Sequence, residues 1–432
     1  MADVIIKGLQ RLSGEVIAPP SKAYTHRMLV AGLLSNGETE ISNPLVSDDT
    51  EATLQAVTAF GAKVNLQRNC WKVKGRTTLD PPKNPIDCRE SGTTLRFIVP
   101  VAALAPNPSI FYLGGSLERR PIVPLLESLK QLGAESNFQQ NKEGSWVQIR
   151  GGGIRGGKAT IRGDISSQFI SGLLFACPRA KKDTEITLTT LLESQGYVQM
   201  TKEILDKHDV KVFISEDYGQ LKIPSKQVYK PYSHEVPGDF SSGAFLLAAA
   251  AITSSKVRVK NLDYATVQGD KVIVDILKKV GSKVKVTDGY VEVDGKPLDA
   301  VDVDAKDIPD LVPVCAVLAC YSRGISTIYN AERLRYKESD RLSSLYDELK
   351  KMGAEIAVKK DALTIRGPCV MRGKTIDPHN DHRIAMACAV AALGASGETK
   401  IQNPECVKKS YPTFFNDLRS IGADVIGGQF NW

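Results

Sequence analysis

The stretch RLRYKESDRL, Arg333 to Leu342, sets six charged side chains among ten residues, in a chain whose charged content is 24%. Two readings compete for such a run. Opposite charges three and four apart commonly decorate an exposed helix. The same residues at a helix N-terminus suit an anion, because free backbone N–H groups and the positive end of the dipole lie there. The second reading gains from the rest of the chain. Polar segments precede six apolar runs: SKAYTHR at Ser21, ESGTTLR at Glu90, SSQ at Ser166, GDFSS at Gly238, DIPD at Asp307 and DHR at Asp381. Ser, Thr and Asp at these places are explained as helix caps. Capping does not call for Lys22, Arg27, Arg96 or Arg383. A cation is locally unfavourable at a helix start, so several of them point to an anionic ligand.

The elements that must position these groups are legible as a repeat. Gly61, Gly133, Gly281, Gly353 and Gly422 recur about every 72 residues with one double interval, which hides a divergent copy, KHDVKV at Lys207. Each glycine follows an amphipathic run such as LSSLYDELKKM and fits the left-handed position just past a helix end. Each copy also holds a nearly all-apolar helix, such as AFLLAAAAI or IAMACAVAAL, and short alternating strands such as WVQIRG and YVEVDG. The unit reads strand, buried helix, strand, amphipathic helix, strand, strand. Six units suggest an α/β protein of two lobes, residues 21–237 and residues 1–20 plus 238–432, with crossings at Pro19-Pro20 and Val236-Pro237-Gly238 and the first strand joining the C-terminal lobe.

Composition restricts the class. With 432 residues and 42% hydrophobic content, the chain has material for two or more cores. MADVIIKGLQ lacks the blocks of a signal peptide and no apolar run reaches about 20 residues, so a soluble, cytoplasmic protein is expected. Eight scattered cysteines without a Cys-x-x-Cys pair suit reduced thiols. HNDH at His379 offers two histidines, but no further ligand spacing accompanies it, so no metal is expected. The net charge of +7 without a basic block, and 6% aromatics, favour small anionic ligands over nucleic acid.

Ser21-Lys22 with Arg27, Arg119-Arg120-Pro121, Ser166-Ser167-Gln168, Ile308-Pro309-Asp310, Lys337-Glu338-Ser339-Asp340-Arg341, Asp381-His382-Arg383 and Lys409 follow in an order that resembles the 5-enolpyruvylshikimate-3-phosphate synthase family, essentially end to end. The resemblance implies two lobes, each of three repeated βαβαββ units in an inverse α/β barrel, with the active site in the interlobe cleft. It implies transfer of the enolpyruvyl group of phosphoenolpyruvate to the 5-hydroxyl of shikimate 3-phosphate with release of phosphate, no cofactor, and competition by glyphosate; with the composition above, a monomer without membrane or nucleic-acid partner is expected. Two phosphates and two carboxylates must then share a cavity, where like charges about 4 Å apart repel by about 4 kcal/mol at an effective dielectric of 20.

Carried over by resemblance, Lys22, Gly92, Arg120, Gln168, Arg341, Arg383 and Lys409 hold phosphoenolpyruvate. Shikimate 3-phosphate falls to Lys22, Ala23, Arg27, Ser166, Ser167, Gln168, Ser194, Asp310 and Lys337. Asp310 accepts the hydroxyl proton, Glu338 handles the methylene proton, Lys22 donates towards the departing phosphate and His382 hydrogen-bonds in the phosphoenolpyruvate site. Asp340 is expected to orient arginines as an ion pair. Three departures stand out: Ala23 replaces a serine, leaving Thr25, backbone or water to compensate; Glu90-Ser91 replaces an asparagine-containing version; and Arg333 stands where some members have asparagine. The family's sister, UDP-N-acetylglucosamine enolpyruvyl transferase, is the alternative, but Asp381-His382-Arg383 and Lys337-Glu338 fit it less well. A silent anion-binding homologue is disfavoured by the retention of both Asp310 and Glu338.

Overall fold

The computed structural model describes residues 3–141 and 144–429. Two compact units divide the chain, Ser21–Val236 and the pair of segments Met1–Pro20 and Pro237–Trp432. Each has its own hydrophobic core.

The repeat seen in the sequence is a sheet with two helices. In one copy the elements run Ile86–Asp87, helix Gly92–Ala102, Ser109–Leu113, helix Val123–Gln131, Ser136–Asn141 and Gly144–Ile149. The first strand is parallel to the second, the second antiparallel to the fourth, and the fourth antiparallel to the third. Six sheets of this order are present among the described residues, three per unit. The apolar helices are buried all round, as their sequences demand: in Phe240–Ile252 every residue but the last is buried, and Asp239 caps its start by accepting from the Ser242 N–H at 2.7 Å.

The repeat glycines take the left-handed conformation after their helices, from φ 81° at Gly133 to φ 107° at Gly353. In the divergent copy the position belongs to Asp209, at φ 60° after the helix Gln195–Lys207. Its N–H bonds Asp206 O and the next N–H bonds Leu205 O, the pattern that Gly61 and Ala62 make with Thr58 and Val57. An aspartate tolerates this region better than most residues, which is why the copy lost its glycine without losing its turn.

The units close on themselves through strands distant in sequence. Val4–Lys7 lies between Glu398–Ile401 and Val425–Ile426, and Ser13–Ile17 pairs in parallel with Lys256–Lys260. In the other unit Ser233–Glu235 supplies the first strand beside Glu38–Ser42. Pro20 and Gly238 pair where the chain leaves and returns. A Cβ on Gly238 would sit 1.7 Å from Asn261 O, so no side chain fits there. Among the described residues, no helix is long and apolar enough to cross a membrane.

Candidate active site

In the unit Ser21–Val236, helix starts carry the groups singled out above. Ser21, Ser91 and Ser166 each cap a buried helix through the side-chain oxygen. Lys22, one residue inside its helix, pairs with Asp49 Oδ2 at 2.9 Å. Gln168 is held at both ends of its amide: Nε2 donates to Thr93 Oγ1 at 2.8 Å, and Arg96 donates to Oε1 at 2.8 Å while its other amino group binds Pro121 O. Arg96, which the sequence offered as a cation for an anionic ligand, is thus a group that positions Gln168. The Arg120 guanidinium lies against Gly92, where a Cβ would come within 2.7 Å of it. Ser167 and Ser194 are buried, Ser194 in a left-handed conformation at φ 58°.

Arg27 is buried deeper than a surface ligand would be. It donates to Thr201 Oγ1, Ala23 O and Tyr197 O within 2.9 Å and lies over the Phe97 ring. Burial pushes its guanidinium down to about 10. Ala23 meets it through its backbone carbonyl. Thr25 does not replace the missing hydroxyl: it is fully buried, donates to Ser21 O and accepts from the Leu45 N–H. That corrects the expectation of compensation from Thr25, because both functions of the hydroxyl are spent within the fold.

The other unit contains a denser cluster, and it divides the opening stretch in two. Arg335 and Asp340 behave as a surface pair at 2.7 Å, and Asp340 also caps the helix Arg341–Lys351. Arg341 is only 1% exposed. Three carboxylates surround it: Asp310 at 2.9 Å, Glu338 at 2.7 Å and Asp381 at 2.8 Å. The anions facing this cation are therefore the protein's own. Asp381 is fully buried and also caps the helix His382–Gly394 through the Arg383 N–H. Arg383 reaches Asp310 Oδ2 at 3.2 Å and the carbonyls of Asp310 and Ser241.

Asp310 sits under opposing influences. Burial raises its pKa, but Arg383, Lys337 and Arg341 together outweigh burial and hold it well below the usual carboxylate range. Near enough to feel its charge lies Asp270, which the sequence did not single out. Its Oδ2 accepts a short hydrogen bond from Ser241, the residue whose carbonyl holds Arg383. Burial, reinforced by the Asp310 charge, pushes the Asp270 carboxyl up. Two neighbouring carboxyls with pKa values driven apart form a pair in which one is a charge and the other a proton store.

Lys337 is half-buried, and burial pushes its ammonium down to about 7; Asp310 opposes the shift, Arg341 and Arg333 add to it. Lys409 is buried and donates to Asn380 O at 2.7 Å. That carbonyl belongs to a turn in which both His379 and Asn380 have positive φ. His382 is buried beside Asp381, whereas His379 turns to Glu348 at 3.0 Å, so the HNDH histidines part company. Among the described residues no group of three or more His, Cys, Asp or Glu is placed to hold a metal.

A cluster of this kind can bind anions, keep a carboxylate ionised and move protons. Comparison with known proteins specifies the chemistry. The family model described as EPSP synthase (3-phosphoshikimate 1-carboxyvinyltransferase) matches residues 6–418. A 3-phosphoshikimate 1-carboxyvinyltransferase of Methanocaldococcus jannaschii is 42% identical over 427 residues, 98% of this chain and 99% of its own. Among solved structures, an EPSP synthase of Acinetobacter baumannii matches 98% of this chain and 99% of its own with a TM-score of 0.81 at 24% identity. An enolpyruvyl transferase of Streptomyces tendae matches 98% of each chain with a TM-score of 0.80 at 18% identity. These two likenesses establish the fold alone; the near-full-length sequence match carries the assignment, and the chain belongs to the EPSP synthase family.

Proposed function

We infer that the protein transfers the enolpyruvyl group of phosphoenolpyruvate to the 5-hydroxyl of shikimate 3-phosphate and releases phosphate. Addition forms a tetrahedral intermediate and elimination collapses it. The observation that carries this reading is the cluster of Asp310, Glu338, Arg341 and Arg383 in a chain of this family.

Phosphoenolpyruvate is assigned to Arg120, Arg341, Arg383, Lys409 and Lys22, with Gly92 and Gln168 alongside; arginine forks suit its carboxylate and phosphate. Shikimate 3-phosphate is assigned to Ser166, Ser167, Gln168, Ser194, Lys337 and Lys22, with Arg27, Ala23 and Asp310. Asp310 takes the hydroxyl proton as the oxygen attacks C2, Glu338 delivers a proton to the methylene carbon and later removes one, and Lys22 protonates the leaving phosphate. His382 stays with the phosphoenolpyruvate groups.

A carboxylate held as low as Asp310 is a weak base. Bound phosphoenolpyruvate draws Arg383 and Arg341 onto its own charges, and the loss of their full attention raises the basicity of Asp310 when the hydroxyl arrives. We assign the protein to the cytoplasm as a monomer acting on small molecules, a reading supported by the scattered free cysteines. A coupled phosphate-release assay with phosphoenolpyruvate tests the reaction: release is expected with shikimate 3-phosphate as acceptor. Release with UDP-N-acetylglucosamine instead would assign the sister activity.

Lys337 gives a pH signature. Its folded pKa of about 7 lies below the ordinary 10.5, so between these values the unfolded chain binds the extra proton and stability rises with pH. Ligand binding has the opposite sense. A phosphate favours the ammonium, so shikimate 3-phosphate binds best below pH 7 and takes up a proton when it binds near pH 8. Calorimetry in buffers of different ionisation enthalpy measures that proton. It should vanish in Lys337→Ala; an unchanged uptake removes Lys337 from the phosphate site.

A further inference from the structure

Eight cysteines are present, and the function described above uses none of them. Six are buried, and two, Cys70 and Cys369, are half-buried. Cys369 lies just beyond the strand Leu363–Gly367, and Cys320 lies in the last turn of the helix Val312–Tyr321. The Cys369 N–H donates to Cys320 O at 2.7 Å. The two side chains are close enough that each shifts the acidity of the other's thiol. That single backbone hydrogen bond makes the two residues direct neighbours, and a disulfide spans Cα separations of about 4.4 to 6.8 Å. The Glu355 N–H also donates to Cys369 Sγ at 3.4 Å, as a thiolate requires, while Arg366 O at 3.1 Å receives the proton of the thiol form.

We propose that Cys369 and Cys320 form a peroxide-reactive thiol pair in which Cys369 is the attacking sulfur and Cys320 the resolving one. Cys369 has solvent access and hydrogen-bond donors; Cys320 is shielded and adjacent. The neighbouring Cys320 is the main influence lowering the Cys369 thiol, to about 7, with help from the Glu355 N–H and against burial and the Glu355 charge. Cys70, of comparable exposure, is raised, first by burial and then by Glu40. In the first step the Cys369 thiolate attacks one oxygen of a hydroperoxide, the O–O bond breaks and the alkoxide or hydroxide takes up a proton, leaving a sulfenic acid. In the second, Cys320 sulfur attacks that sulfur, the S–O bond breaks and water leaves with the Cys320 proton. Two thiols are oxidised and one peroxide is reduced.

The experiment treats the full chain with stoichiometric hydrogen peroxide at pH 7 and maps peptides without reduction. A linked peptide pair containing Cys320 and Cys369 is expected, with the other cysteines still free. Cys320→Ser should stop at a sulfenic acid on Cys369 that dimedone traps, and Cys369→Ser should form no link. Without peroxide, iodoacetamide should alkylate Cys369 at least about fivefold faster than Cys70, after allowing for the lower intrinsic reactivity of a more acidic thiol. Mapping the unaltered chain decides the matter even where a variant fails to fold. An unlinked pair, irreversible oxidation of Cys369 without linkage, or equal alkylation of Cys70 would each overturn the proposal.

Discussion

Asp310→Asn is expected to slow turnover by about 10² to 10⁴, with phosphoenolpyruvate affinity kept or tightened. The substitution preserves size but removes both the base and a negative charge from a place where Arg341 and Arg383 converge at 2.9 and 3.2 Å. The two guanidiniums lose a competitor for the substrate, so the ground state gains while the proton transfer loses. That split between kcat and KM is the useful part, because a merely damaged site would lose both. Steady-state kinetics with each substrate varied, and a melting curve as folding control, provide the check. Near-full turnover in a folded variant removes Asp310 from its role.

Arg341→Ala should produce the largest loss of stability of any single change in the cluster. Three carboxylates meet this side chain, and Asp381 among them is fully buried. Removing one partner of a buried pair costs about 3 to 5 kcal/mol because the remaining charge is left uncompensated. In a unit of this size each 1 kcal/mol moves Tm by about 2 to 4 °C, so the unit should melt lower by about 6 to 20 °C. Arg341→Lys should recover only part, since a compact ammonium cannot reach three carboxylates at once. Thermal melts at neutral pH measure all of this. A loss of a few tenths of a kcal/mol, typical of an exposed helical pair, would return Arg341 to the solvated surface where Arg335 and Asp340 belong.

Much of this molecule is legible in its sequence because repetition exposes it. The glycines and the apolar helices announce the unit, and only the copy ending at Asp209 was obscured, by a residue that reaches the same backbone region through a different side chain. Helix caps such as Ser21, Ser166 and Asp381 are local events and can be read from a few neighbours. The carboxylates around Arg341 are not local: Asp310 and Asp381 come from distant repeats, and a cap reading of Asp381 captures only one of its two oxygens. The partners of Asp270 and Arg96 were missed for the same reason. Each acts through a partner, Ser241 or Gln168, that only folding brings near. Thr25 shows the reverse error, a hydroxyl that sequence proximity offers to a ligand and that packing turns inward.

The strands Val4–Lys7 and Ser13–Ile17, which complete sheets begun hundreds of residues later, invert the order in which the protein can be finished during synthesis. The inner unit has all its strands once Ser233–Glu235 has left the ribosome. Residues emerging before it must wait: Ser13–Ile17 until Lys256–Lys260 appears, and Val4–Lys7 until Glu398–Ile401 and Val425–Ile426 arrive. Lys7, Arg11 and Glu15 keep this waiting segment charged, a defence against pairing with the wrong neighbour. A nascent chain halted before its final strands therefore carries a completed inner unit beside N-terminal strands whose partners were never made.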